Sequence, residues 1–163
     1  MELPPETREA LLDSWPVARL ATLRAGEREA APHLVPVVFA RSGGHLWSPI
    51  DGKPKRGTPL ARLANVRARP RVALLLDHYD ADWALLWWLR IDGEARVVEA
   101  NEAAAEAALR RKYPQYATTP LFRDAPCWLR IAPQRSTSWC AGAAAAAAAL
   151  SSSRGPAPTR DSR

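Results

Sequence analysis

Lysine is nearly missing from this chain. Of 23 basic side chains only Lys53, Lys55 and Lys112 are lysines; the rest are arginines. Cysteine is scarce as well. Cys127 and Cys140 have no metal-ligand spacing, and His33, His45 and His78 stand singly, so no metal site is expected and the thiols are read as reduced. No apolar run approaches the length of a membrane span, and Met1-Glu2-Leu3-Pro4-Pro5 lacks a signal-peptide layout. A cytoplasmic protein without membrane contact is therefore expected. A glycine-rich phosphate loop is also lacking, which gives no reason to expect nucleoside triphosphate hydrolysis. At 163 residues, with 47% hydrophobic and 25% charged side chains, the chain is long enough to bury a core as one domain.

Acidic residues are absent from one window. Between Gly52 and Leu76 there are seven basic side chains, Lys53, Lys55, Arg56, Arg62, Arg67, Arg69 and Arg71, and no acidic one. The whole chain carries +6, so everything outside that window sums to −1. Charge concentrated in this way points to a localised anionic partner. Two of the three lysines lie here, in Asp51-Gly52-Lys53-Pro54-Lys55-Arg56-Gly57-Thr58-Pro59, and a compact ammonium binds phosphate as a point charge. The plainer reading of such a run is a solvated loop ahead of a helix. Thr58 as N-cap and Pro59 in the first turn predict that helix over 59–68, with Leu60, Leu63 and Val66 toward the core. A helix N-terminus itself favours an anion, which tips the reading toward a phosphate site. Aromatics do not interleave with the basic run, so a nucleic-acid partner is not expected.

Along the chain, residues 5–14 read as an opening helix and 17–23 as a strand. A second extended run covers 33–40, Ser42-Gly43-Gly44 is a hairpin turn, and 45–50 is a third strand. Residues 71–79 form an apolar strand expected to be buried on both sides. A long strand begins near Trp83 and continues through a turn at Asp92-Gly93 to Glu99. Asn101 is placed as the cap of a helix running to about Tyr113, which carries Lys112 away from the basic motif. A last strand covers 127–132, with a short paired segment at 136–139. Consecutive hairpins without intervening helices exclude a doubly wound sheet and predict a mainly β, α+β chain: an antiparallel split barrel of six or seven strands with two or three helices. The domain is expected to span 1–140. Residues 141–163, rich in alanine, serine and proline, read as a disordered tail with little to bury.

The ordered set Ala18-Arg19-Leu20-Ala21-Thr22-Leu23, Pro32 to Phe39, Asp51 to Arg56, Leu63-Ala64-Asn65-Val66 with Pro70-Arg71-Val72, and Asp77-His78-Tyr79-Asp80 with Trp83 and Trp87-Trp88 resembles the split-barrel flavin-binding superfamily that includes pyridoxamine 5′-phosphate oxidase. It is similar, more closely, to that superfamily's oxidoreductases dependent on the deazaflavin coenzyme F420. The resemblance covers roughly residues 10 to 140, and the tail departs from it. It implies a homodimer with a cofactor site at the subunit interface. Lys53, Lys55 and Arg56 would hold the cofactor phosphate, Pro36, Val37 and Val38 would offer backbone groups to the ring, and Ser48 could donate to the acidic tail. Arg62, Arg67, Arg69 and Arg71 would be surplus for the single phosphate of FMN, yet could serve the longer polyanion of F420.

Hydride transfer by such a cofactor demands no dedicated catalytic side chain. If a proton donor exists, His78 or Tyr79 is the candidate, with a structural histidine as the plainer alternative. Trp87 and Trp88 are adjacent on a strand and must face opposite ways, so one can be core while the other faces the ring or a partner. The expectation is an F420-dependent oxidoreductase acting on a small organic substrate, in either direction. Two alternatives stand beside it: an FMN-dependent oxidase or reductase of the same fold, and an F420-binding protein without turnover.

Overall fold

The computed structural model describes residues 1–26, 31–50, 60–122 and 125–153. Its elements run α1 (Pro5–Ser14), β1 (Ala18–Leu23), β2 (Pro32–Val37), β3 (Ala40–Ser42), β4 (His45–Pro49), α2 (Ala61–Ala68), β5 (Arg71–His78), β6 (Trp87–Val98), α3 (Ala103–Lys112), β7 (Trp128–Cys140) and α4 (Ala143–Ser153). Short 3-10 turns occupy Trp83–Leu85 and Pro114–Ala117. All strand pairs are antiparallel, in one seven-stranded sheet of order β2-β1-β5-β6-β7-β4-β3. The expected α+β class holds, with one more helix than anticipated.

The strand order dictates the shape. β2 and β3 are the two outer strands, yet only Val38 and Phe39 separate them in sequence. Three residue steps span at most about 11 Å, whereas a flat seven-stranded sheet would be about 29 Å wide at roughly 4.8 Å per strand. The sheet must therefore roll until its edges approach each other, which is the split barrel. Inside the roll lie Leu20, Leu46, Leu74, Leu76, Leu89, Leu129 and Ile131, closed at one end by Leu11 and Leu12 of α1. A second cluster forms on the outside, where α3 covers β3 and gathers Trp47, Leu109, Tyr113, Tyr116 and Trp128.

Several elements differ from the sequence expectation. The run 33–40 is broken at Val38–Phe39, as the rolled sheet requires. β5 is buried on one face only: Val72, Leu74 and Leu76 enter the core, while Ala73, Leu75 and Asp77 are half-buried on the outside. Trp83 is not in a strand, because the Asp82 carboxylate accepts the Ala84 N–H at 3.0 Å and starts a 3-10 turn there. α2 begins at Ala61 with Leu60 as N-cap and no side-chain cap bond; Thr58 and Pro59 lie outside the described residues. α3 likewise starts from Glu102, not Asn101, without a cap bond. The segments expected at 127–132 and 136–139 merge into one continuous strand, β7, which begins at Trp128.

The largest departure is at the C-terminus. Residues 143–153 form α4, and Ala145, Ala146 and Ala149 join the main core. Composition predicts nothing to bury there, but an alanine face allows close approach to another helix, and α4 packs on α1 and on the turn at Trp83–Leu85. Residues 154–163 lie outside the described residues.

Asp92-Gly93 is no turn either. β5 and β6 pair straight through it, Ala73 opposite Asp92 and Val72 opposite Gly93, while the β6–β7 ladder shifts register between the two residues. A Cβ on Gly93 would run into the Ala132 carbonyl oxygen. That neighbour is backbone held by the ladder, so it cannot swing aside. Gly93→Ala is expected to cost about 1–3 kcal/mol in a urea melt, the usual range for overpacking. A change below about 0.5 kcal/mol, typical of a free surface position, would show that the bulge has slack.

Candidate functional site

Rolling the sheet gives β1, β5, β6 and β7 an outer face that no helix among the described residues lines at the cavity. Register arranges its residues in rows. One row runs Pro36, Arg19, Leu75, Arg90; the next holds Leu34, Ala21, Ala73; a third holds Asp77, Trp88, Trp139. Over them lies a cavity of about 610 Å³ whose walls include Trp88, Trp139, Leu75, Leu34, His78 and Tyr79. Leu34 is 63% exposed, Trp139 40%, and nearby Tyr79 and Trp83 are 75% and 69% exposed. The arginines that line the cavity are already paired within the chain: Arg19 donates to Asp77 at 2.8 and 3.3 Å, and Arg90 to Asp92 at 3.2 Å. The surface offered is apolar and aromatic, with its ions neutralised.

Of the adjacent tryptophans, Trp87 turns into the core and Trp88 into the cavity, as strand geometry requires. Trp87 meets Trp15 edge-on at 4.7 Å and stacks with His78 at 6.2 Å. The His78 Nε2 lies 3.5 Å from the Asp80 carboxylate. His78 therefore sits at the cavity rim, with its ring against Trp87 and a carboxylate beside it.

The edge strand β2 carries the residues expected to meet a cofactor ring. Proline cannot donate to a ladder, so Pro32 and Pro36 belong to the positions whose backbone faces away from β1. The free edge therefore shows carbonyls, and Leu34 brings the N–H of that set. Pro36 is exposed, Val37 is in the barrel core, and Val38 packs on the second cluster. The chain then turns at Phe39, whose N–H donates to the Tyr113 hydroxyl at 3.0 Å and whose carbonyl accepts from it at 2.9 Å. Nothing in the sequence pairs these residues. Ser48 is 1% exposed, on the Leu46 face of β4, and its hydroxyl has no hydrogen-bond partner among the described residues.

Lys53, Lys55 and Arg56 lie outside the described residues. The flanks are held: the Ile50 N–H donates to the Cys127 carbonyl at 2.8 Å, and α2 packs through Val66 and a buried Asn65. The Asn65 amide donates to Thr22 Oγ1 and accepts the Ala25 N–H, both at 2.9 Å. An asparagine beside apolar helix positions was the available signal for this network. The remaining arginines of the basic window are less available than a count suggests. Arg62 is buried, Arg67 pairs with Glu99 at 2.5 Å, and Arg69 bonds the Arg24 carbonyl; Arg71 is exposed.

Residues 3–140 match the family model described as pyridoxamine 5′-phosphate oxidase. The chain belongs to that family. Members of the pyridoxamine 5′-phosphate oxidase family share a flavin-binding split barrel, the fold found here. Among solved structures, a conserved hypothetical protein from Mycobacterium tuberculosis is 23% identical, with 86% of this chain and 87% of that one aligned at a TM-score of 0.63. A structure described as an F420 reductase is 21% identical over 79% of this chain and 94% of that one, with a TM-score of 0.58. A protein from Mesorhizobium loti described as FAD-binding is 19% identical over 85% and 95%, with a TM-score of 0.57. At these identities the likeness is one of fold. No curated protein matches the chain.

A flat tricyclic ring fits what the family fold presents here: a cavity of ligand size, aromatic walls, and an open strand edge beside it. Among the described residues no cluster of His, Cys, Asp or Glu could hold a metal, and no helix is long and apolar enough to cross a membrane.

Lys112 is not the solvated charge its place on α3 suggests. Its ammonium donates to the Leu12 carbonyl at 3.0 Å and lies 3.5 Å above the Phe39 ring. Burial pulls its pKa from 10.5 down to about 7, the Asp13 carboxylate resists, and Arg41 adds to the depression. Between those two values the unfolded chain binds more protons at this site, so stability should rise with pH from about 7 to 10.5 and be flat on this account below 7. Lys112→Met should remove that rise, making the variant gain least, relative to wild type, at high pH. Thermal melts at pH 7, 8 and 9 check this, and parallel profiles for the two proteins would contradict it.

Proposed function

We propose that this protein is an oxidoreductase that uses the deazaflavin coenzyme F420 to transfer a hydride to or from a small organic substrate, and that it works as a homodimer. The observation that carries the reading is the aromatic cavity beside the β2 edge, on the outer sheet face of a flavin-binding fold. The solved F420 reductase of the same fold supports it.

When bound, the cofactor would supply hydride transfer at its ring carbon. The chain's part is to bind, orient and keep out water. Lys53, Lys55 and Arg56 would hold the phosphate, the backbone of Pro36, Val37 and Val38 would meet the ring edge, and Trp88 and Trp139 would exclude water from the cavity. His78, beside Asp80 at the cavity rim, is a candidate proton donor. The buried Ser48 could serve the cofactor only where its own strand borders the site. A second copy laid on the outer face would cover Leu34, Trp88 and Trp139 without stranding a charge, since Arg19 and Arg90 already have carboxylate partners.

A second reading, an FMN-dependent enzyme, draws on the engagement of Arg67 and Arg69 within the chain. With those removed from the count, the cations left for a polyanionic tail are fewer, and one phosphate would suffice.

Fluorescence titrations with F420 and FMN in parallel separate the two. F420 should bind at least about tenfold tighter, and Lys53→Ala or Lys55→Ala should weaken it about 10- to 100-fold, the worth of a charge-assisted bond to an anion. Arg111→Ala is the charge control, because Arg111 is exposed on α3. Lys112 cannot serve, being seated on Leu12 and Phe39. Equal affinities, or FMN copurifying one to one, would favour the FMN reading. If Arg111→Ala costs as much as Lys53→Ala, the phosphate is held elsewhere.

A further inference from the structure

We propose that Tyr113 is a positioning residue for the cofactor ring, acting through Phe39 on the edge segment Pro36-Val37-Val38; this rests on the reading of that segment given above. Tyr113 caps the C-terminal end of α3, and its hydroxyl commits its proton and a lone pair to one residue 74 positions away. Both bonds are buried. Phe39 sits between β2 and β3, outside either ladder, so Tyr113 does for its peptide groups what a neighbouring strand does elsewhere.

The corner held in this way is where the chain passes through the barrel wall. Val37 and Phe39 go to the inner core, Val38 and Ala40 to the outer cluster. The backbone angles at this corner decide where the carbonyl of Pro36 and the peptide of Val38 point. Lys112 braces the same corner, with its ammonium over the Phe39 ring and bonded to the Leu12 carbonyl. Burial raises the Tyr113 pKa, so the hydroxyl keeps the proton it donates. Tyr113 is not among the residues lining the outer-face cavity, which makes its role indirect.

The test compares Tyr113→Phe with Ser138→Ala, each in the full chain. Ser138→Ala removes a buried bond to the Leu3 N–H on another side of the barrel. Three signals are read: hydrogen exchange of residues 36–40, the dissociation constants for F420 and FMN, and the visible absorption band of the bound cofactor. Tyr113→Phe should exchange faster in 36–40, bind about tenfold more weakly, and shift the bound band toward that of free cofactor. Ser138→Ala should lose thermal stability with affinity and band unchanged. Lys53→Ala should lose affinity while the remaining bound cofactor keeps its band, which separates phosphate binding from ring placement. A wild-type constant and band in Tyr113→Phe overturns the proposal while leaving the cofactor reading intact. Equal shifts of affinity and band in Ser138→Ala overturn it too, since any buried bond would then do the same. If wild type takes up neither F420 nor FMN, the cofactor reading falls and this proposal with it. Should Tyr113→Phe fail to fold, Lys112→Met leaves the hydroxyl bonds in place and takes the cation off Phe39. A smaller shift of the band in the same direction supports the proposal, and an unmoved band overturns it.

Discussion

Because Val38 and Phe39 alone join the outermost strands of a seven-stranded sheet, the sheet cannot lie flat. Once it rolls, each strand has an inside and an outside, and the alternation in β5 is sorted between them: Val72, Leu74 and Leu76 inward, Ala73, Leu75 and Asp77 outward. The strands long enough to serve both ends of the roll are β6 and β7, and their ladder adjusts at the Gly93 bulge, where the Ala132 carbonyl leaves no room for a side chain. Helices then close what the roll leaves open. α1 and α4 cover one end, and α3 covers β3. Among the described residues the outer face of β1, β5, β6 and β7 carries the cavity, and it is there that apolar and aromatic side chains collect.

The electrostatics of that face suit a surface meant to be covered. An exposed ion pair adds little to stability in water, yet pairing Arg19 with Asp77 and Arg90 with Asp92 means neither arginine would need a new partner on losing solvent. The basic residues around α2 follow a different rule. Arg67 and Arg69 are engaged by Glu99 and by the Arg24 carbonyl, so the anion-binding work proposed for this window falls mainly on the Lys53 to Arg56 motif.

What could be read from residues alone was local. α1 is legible to its last residue, since Pro5 opens it and an apolar edge at Leu11 and Leu12 follows. The hairpin at Gly43-Gly44 is equally plain, both glycines having positive φ. Long-range partners were not legible. Lys112 looks like a solvated helix charge until Leu12 and Phe39 are brought beneath it, and Tyr113 looks like a helix end until its hydroxyl meets Phe39. Alanine-rich α4 reads as a tail because its composition carries little area, and it is the packing on α1 and on the Trp83–Leu85 turn that makes three small side chains core. Asp92-Gly93 carries a turn signature, but two neighbouring strands pair across it and override the local preference. The proposal that the backbone of Pro36, Val37 and Val38 meets the ring comes from family resemblance; composition and spacing carry no sign of it.

The outer face is the proposed meeting place of a second copy and the cofactor, with Trp139 on its β7 side. Light scattering of wild type and Trp139→Glu, each with the absorbance of bound cofactor recorded on the same sample, tests this directly. A carboxylate there would be buried without a partner, which is costly. Wild type should show a two-chain mass with cofactor, and Trp139→Glu a one-chain mass with cofactor lost, both folded by circular dichroism. A single-chain wild type that still holds cofactor, or a Trp139→Glu protein that remains a cofactor-loaded dimer, would contradict it.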